Sequence, residues 1–447
     1  MVTNSAIAPK HAFGFGVVLS LAFFFRPIPV ATAQSTGKTV RHHKVEEQET
    51  DGASLAEAES DIDKRDFASA EPLLKKYLES HADNYVAWYD LGFVNHQLGR
   101  REDSIAAYRK SVGAKPDVFE SNLNLGLALA DSGDPEAERF LRAATKLNPN
   151  SNAVQAHKRA WIALGRLVQS SKPEEAIAAF REAASVDAKD PEPHLSCGAL
   201  FEKQQKAGEA EKEYQEALSI VPDSTDALVA LSNLYMHEKR FGDAEASLRK
   251  LVVLHPGDAS AHFQLGRMLA ISGKNEDAVS EMEAGLKIDP ADSRAQHDLA
   301  DMDGDAGKYD RAARLYATLL SSSPNDPGLH LGLGRVLLKQ KKFAEAEQEL
   351  IKAVQLKPDS GETYGELAVA ANENKDYPLA IKATDMRAKY LPENPMSYFL
   401  RATAYDHLRD AKQAARYYHQ FLDVAAGKYP DQEWQAKHRL IAIEPKK

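Results

Sequence analysis

Cysteine is all but missing from this chain of 447 residues: Cys197 stands alone, so no disulfide can form within the chain. Positive charge is scarce as well. With 56 lysines and arginines against 66 acids, the formal net charge is −10. That argues against nucleic acid as a partner, because phosphate binding needs a basic footprint. The sequence also lacks a phosphate-cradling glycine loop, a nucleophile elbow and an HExxH pair, so neither an enzyme nor a cofactor is implied. After residue 25 no stretch is long and apolar enough to span a bilayer.

The one long apolar run, residues 12–25, follows Lys10 and His11 and precedes the small-residue site Ala31-Thr32-Ala33. This is the order of a secretory signal, and a membrane span would need about 20 apolar residues. Residues 1–33 are therefore expected to be a signal peptide and the chain to be exported, periplasmic or secreted. It would touch a membrane only through that segment, if uncleaved. Residues 34–50 are polar and aperiodic, a flexible linker by composition. His42 and His43 within it lack a third metal ligand.

What is abundant is regularity. Prolines stand at 222, 256, 290, 324, 358 and 392, each 34 residues after the last. With Pro222 as position 32, position 20 is alanine in seven successive units, from Ala210 to Ala414. Position 8 is always small, from Gly198 and Ser232 to Ala402, while position 24 is mostly large, as in Tyr214, Leu248, Met282 and Tyr316. Apolar spacing over positions 1–14 and 18–31 predicts two helices per unit, joined by a short turn. Small residues let the pair close up, and the proline ends the second helix. One pair cannot bury its own stripe, so neighbours must stack into an all-α solenoid. Residues 85–118 fit the same frame, 119–151 run one residue short, 153–190 carry an insertion and 51–84 are degenerate. Residues 430–444 read as a closing helix, which sets the solenoid at 51–428 and a capping helix with tail at 429–447.

The spacing W-x2-L-G-x2-Y, A-x3-F, A, P, begun by Ala87-Trp88-Tyr89-Asp90-Leu91-Gly92, resembles the tetratricopeptide repeat family over about eleven units. The resemblance implies a right-handed superhelix whose inner face, made by the first helix of each pair, binds a peptide or protein partner. In that frame positions 2, 5, 9, 12 and 13 should line the groove. They place Val86, Tyr89, Phe93, Leu123 and Leu127 in an apolar strip, and Asn233, Arg267, Arg294, Arg335 and Lys339, with Phe263 and Phe399, further along. Cations there would attract carboxylates of a partner. The family's clamp for C-terminal carboxylates is matched only in part, with Val229 where its first lysine belongs.

Other chemistry has a plainer reading. Asp301, Asp303 and Asp305 alternate as in a calcium loop, but the required glycine and glutamate are replaced by Ala306 and Ala312. A solvated turn is expected, although Asp303 falls on a normally apolar position. His194, His262 and His330 share position 4, too far apart for one metal ion, and are expected to pack in the core, as is Cys197. The reading is thus an exported, non-enzymatic scaffold, with envelope assembly as its setting. A polysaccharide synthesis or secretion component, and an enzyme built on the solenoid, are the other two.

Overall fold

The computed structural model of the protein describes residues 52–150 and 153–444. The expected signal peptide and linker lie outside the described residues. Within them every regular element is a helix, 23 in all. None of these helices is long and apolar enough to cross a membrane. They fall into two compact units, Met1–Glu238 and Lys239–Lys447.

The first unit holds α1 (Gly52–Asp63), α2 (Phe67–Ser80), α3 (Tyr85–Gln97), α4 (Arg101–Ala114), α5 (Phe119–Ser132), α6 (Ala137–Ala144), α7 (Ala153–Val168), α8 (Pro173–Val186), α9 (Glu192–Lys203), α10 (Ala207–Ile220) and α11 (Thr225–His237). The second holds α12 (Phe241–Leu254), α13 (Ala259–Ile271), α14 (Asn275–Ile288), α15 (Ser293–Asp305), α16 (Tyr309–Ser322), α17 (Pro327–Lys339), α18 (Phe343–Leu356), α19 (Gly361–Glu373), α20 (Tyr377–Tyr390), α21 (Pro395–His407), α22 (Ala411–Ala425) and α23 (Pro430–Ile443). In each unit a helix packs on the one before and the one after it, which is how a solenoid is built. The expected closing helix is α23.

Three repeated signals set the helix ends. Asp258, Asp292, Asp326, Ser360 and Asn394, two residues after each proline, accept hydrogen bonds from the first free N–H groups of α13, α15, α17, α19 and α21. The first helix then ends one residue earlier than the apolar pattern suggested. Position 15 takes positive φ whatever its residue: Gly273 and Gly307 do so freely, while Gln205, Lys341, Lys375 and Arg409 do so against preference. This left-handed residue lets Lys274 N–H reach the Leu269 carbonyl and Lys342 N–H the Leu337 carbonyl, both at 2.9 Å, and so closes the helix end. The second helix ends two residues before the proline, as α12 does at Leu254 and α14 at Ile288.

Between the paired helices, position 8 lies directly under position 24. A Cβ added at Gly92 would stand 2.6 Å from the Tyr108 ring, and one at Gly334 would stand 2.6 Å from Leu350. Gly198 has the same relation to Tyr214, and Gly266 to Met282. The shortened third repeat and the inserted fourth keep this contact one residue earlier, as Gly126 under Leu141 and Gly165 under Phe180. The position-20 alanines, Ala210 to Ala414, are all buried beside it.

Candidate functional site

The first helices form a row in which position 9 of one repeat meets the start of the next. Arg267 Nε donates to Asp298 Oδ2 at 2.5 Å. Arg335 Nε donates to Glu366 Oε1 at 3.1 Å, and its terminal nitrogen also reaches Glu362. In the first unit Arg166 pairs with Glu192 in the same way. Thr403 reaches back to Asn372 at 3.4 Å, again 31 residues away. Burial works against the Arg335 charge, yet Glu366 and Glu362 more than offset it and hold the guanidinium above its usual range. Arg267 and Arg335 therefore do not stand free for a partner, as the phase of the repeat suggested; acids of the following repeat already hold them. Those acids are the residues that groove phase alone missed. Their signal was an acid placed 31 residues after Arg267 and again after Arg335.

The apolar strip is also corrected. Tyr89, Leu123 and Phe263 are core residues, 3%, 2% and 4% exposed, and Val86 is buried as well. The Tyr89 hydroxyl accepts from Asn124 Nδ2 at 3.0 Å, and burial pushes its pKa up. Phe263 fits into the gap left by Gly285. Phe93 is buried edge-to-face against Phe67 of α2, at 5.9 Å between ring centres, so the degenerate first repeat covers it. Phe399 packs edge-to-face on Tyr418 and tilted on Phe421, both of α22. The reason is shared: a large apolar side chain at position 5 or 9 turns inward against a second helix or a neighbouring first helix, because exposing it would forgo about 25 cal/mol per Å². Leu127 and Asn233 are half-buried, and Arg294 and Lys339 are exposed.

Asp301, Asp303 and Asp305 do not converge, and no group of three metal-ligating side chains stands together among the described residues. Asp303 is wholly buried and forked by Arg311 of α16, which also holds Glu283 of α14. This pairing explains an acid at an apolar position. Asp301 accepts from the Tyr316 hydroxyl, while Asp305 lies within electrostatic reach of Arg335 and Lys339. Burial, with Glu213 adding to it, pushes the Cys197 thiol up to about 12, so the thiolate needed for nucleophilic chemistry does not form.

The histidines do more than pack. His194 Nδ1 faces Glu213 at 2.8 Å, His262 faces Glu281 at 2.7 Å and His330 faces Glu349 at 2.6 Å, each from first to second helix of one repeat. At the far end, α23 buries Ala436 and Leu440 against α22 and leaves Trp434 61% and Ile441 66% exposed. Trp434 lies 31 residues after Thr403, the place that Asp298 and Glu366 take after Arg267 and Arg335.

Stacked helical hairpins with a side-chain row along their first helices define the chain as an α-solenoid of repeats. Three family models, each described as tetratricopeptide repeat, match it: one over residues 55–119, 97–152 and 166–227, another over 201–269 and 305–362, and a third over 259–292. The chain belongs to the tetratricopeptide repeat family. No curated protein matches it. Among solved structures it is similar to YrrB, described as a TPR protein with an unusual peptide-binding site, at 17% identity and TM-score 0.39, covering 42% of this chain and 97% of that one. Yeast Tom70 aligns at 14% identity and TM-score 0.36, over 88% of this chain and 97% of that one. The Cut9–Hcn1 hetero-tetramer aligns at 13% identity and TM-score 0.41, over 89% and 97%. Likenesses this distant bear on neither partner nor site.

Proposed function

We propose that the protein is an exported scaffold, without catalytic activity of its own, that binds a peptide or protein segment along its first-helix face during assembly of envelope complexes. The observation that carries the binding reading is the row in the second unit. There, charged side chains of successive first helices stand in register, with Arg294 and Lys339 exposed beside the Arg267–Asp298 and Arg335–Glu366 pairs. The Arg335–Glu362 pair is open to water, and such pairs contribute only about 0–1 kcal/mol, so a partner's carboxylate can exchange into it at little cost. Export rests on the order of Lys10, the apolar run and Ala31-Thr32-Ala33.

The test places a photo-crosslinking residue at Lys339 or at Arg294, and as a control at Lys382, which is exposed on the second helix α20. Discrete partner adducts are expected from the first two sites and none from the third. Equal labelling from all three would overturn the assignment of the face. The intact mass of the exported chain should begin at Gln34.

A further inference from the structure

Position 13 is the last residue of each first helix in the second unit, and in three successive repeats it carries a charge of changing sign. These are Asp305 on α15, Lys339 on α17 and Glu373 on α19. Ile271 on α13 stands before the run and His407 on α21 after it. All three charged residues are exposed, and among the described residues none of them makes an ion pair or a side-chain hydrogen bond. That sets them apart from Arg267 and Arg335 at position 9, which the next repeat already holds.

The interval between these charges is set by helix packing. α17 packs against both α15 and α19, and helices in such contact lie about 8–10 Å apart. Asp305 is within electrostatic reach of Lys339 and Arg335, yet partial desolvation, with Asp301 adding to it, still pushes its carboxyl above the usual range. A further base from outside would relieve it. A chain that meets the run in register must present side chains of opposite sign on one of its sides, once per helix. A β-strand returns to the same side every two residues, after about 6–7 Å. An α-helix returns after seven residues, about 10.5 Å. The polyproline-II helix returns after three residues of about 3.1 Å each, about 9.3 Å, and alone falls within the helix spacing.

We infer that the last turns of α15, α17 and α19 bind a polyproline-II segment of a partner protein in which a base, an acid and a base follow one another three residues apart. The two bases lie on Asp305 and Glu373, and the acid lies on Lys339. The inference rests on the first-helix face being the contact face. A proline-rich partner suits this run, because its backbone is ordered before binding and loses less freedom on it. Each contact is an exposed ion pair and weak singly. Three in register select by the order of charge more than they add strength, since a wrong order sets like charges against each other.

The experiment compares two fluorescent peptides of one composition and net charge on the full chain, by anisotropy at low salt. One has the core Lys-Pro-Pro-Glu-Pro-Pro-Lys and the other Lys-Pro-Pro-Lys-Pro-Pro-Glu. The first should bind about ten-fold more tightly, by a margin that shrinks as salt is raised. The triple variant D305K/K339E/E373K should reverse the preference and keep the wild-type melting temperature, because all three residues are exposed. Equal binding of the two peptides, binding of neither, or a preference that survives the triple exchange would overturn the inference. So would tighter binding of a helical peptide that carries the same charges seven residues apart. Should the variant not fold, the two peptides on the wild type decide alone. Partner adducts at Lys339 without a peptide preference would sink the charge order and leave the contact face standing, whereas loss of those adducts would sink the face itself.

Discussion

The first helices of the two units follow one frame and hide different things. In α3 and α5 most side chains are buried, the polar Asp90, Asn95, Asn122 and Asn124 included. In α15 and α17 burial is confined to one side, and the row carries His297, Asp301, Arg335 and Lys339 at or near the surface. Phase is common to both, so phase does not decide exposure. Side-chain character does: Tyr89 and Leu123 in the first unit, like Phe263 and Phe399 in the second, are large and apolar at position 5 and turn inward. Positions 9 and 13 of α17 carry Arg335 and Lys339 instead, whose charged ends stay at or near the surface.

The sharpest break of this comparison is core truncation on each side. Tyr108→Ala should cost about 3–5 kcal/mol and Leu265→Ala about 2–5 kcal/mol in denaturant unfolding, because both residues are fully enclosed. An unchanged midpoint for either would mean that the helix pairing is misplaced. Next come the close approaches. Gly92→Ala and Gly334→Ala push a methyl against Tyr108 and Leu350, and should each cost about 1–3 kcal/mol by calorimetry.

An acid titration treats the units alike. Glu71 and Glu138 in the first and Glu245 in the second each take two bases: Lys75 and Arg100, Lys172 and Arg142, Lys274 and Arg249. These hydrogen bonds, led by Lys75, Lys172 and Lys274, hold all three carboxyls below their usual range despite burial. A depressed folded-state pKa adds stability above the unfolded value and loses it as pH falls through the folded one. Acid loss should therefore set in below about pH 4.5. The triple glutamine variant should lose less stability than wild type between pH 5 and 3.

A finer contrast concerns the tyrosines of position 24. The Tyr418 hydroxyl bonds Asp406 at 3.2 Å, whereas that of Tyr108 finds no partner among the described residues. Tyr418→Phe should cost about 0.5–1.5 kcal/mol, and Tyr108→Phe should be neutral or stabilising in the same unfolding assay. The smallest effect is expected at the exposed edge of the row: Glu362→Ala, which removes the water-facing partner of Arg335, should change stability by less than about 1 kcal/mol. A larger loss would make the row structural and weaken its reading as a contact face.

Much of this could be read from residues. The proline spacing, the position-20 alanines and the small position 8 announced the hairpins, since each answers a local or repeated steric demand. The candidate site was less legible. Arg294 and Lys339 keep their exposure, but Tyr89, Leu123 and Phe263 went inward. A helical phase says which side a residue faces and is silent on what the next helix brings to that side. The Arg267–Asp298 pair and the Asp303–Arg311 fork depend on partners 31 and 8 residues away, on other helices.

By itself, then, the sequence determined the all-helical hairpin repeat and its period, through proline joints, capping side chains and a left-handed turn residue, all of them short-range. Only the tertiary structure decided which charges were already paired, and that the position-4 histidines face carboxylates of the second helix rather than merely pack. Those outcomes belong to contacts between helices, where distance and burial set the balance of charge.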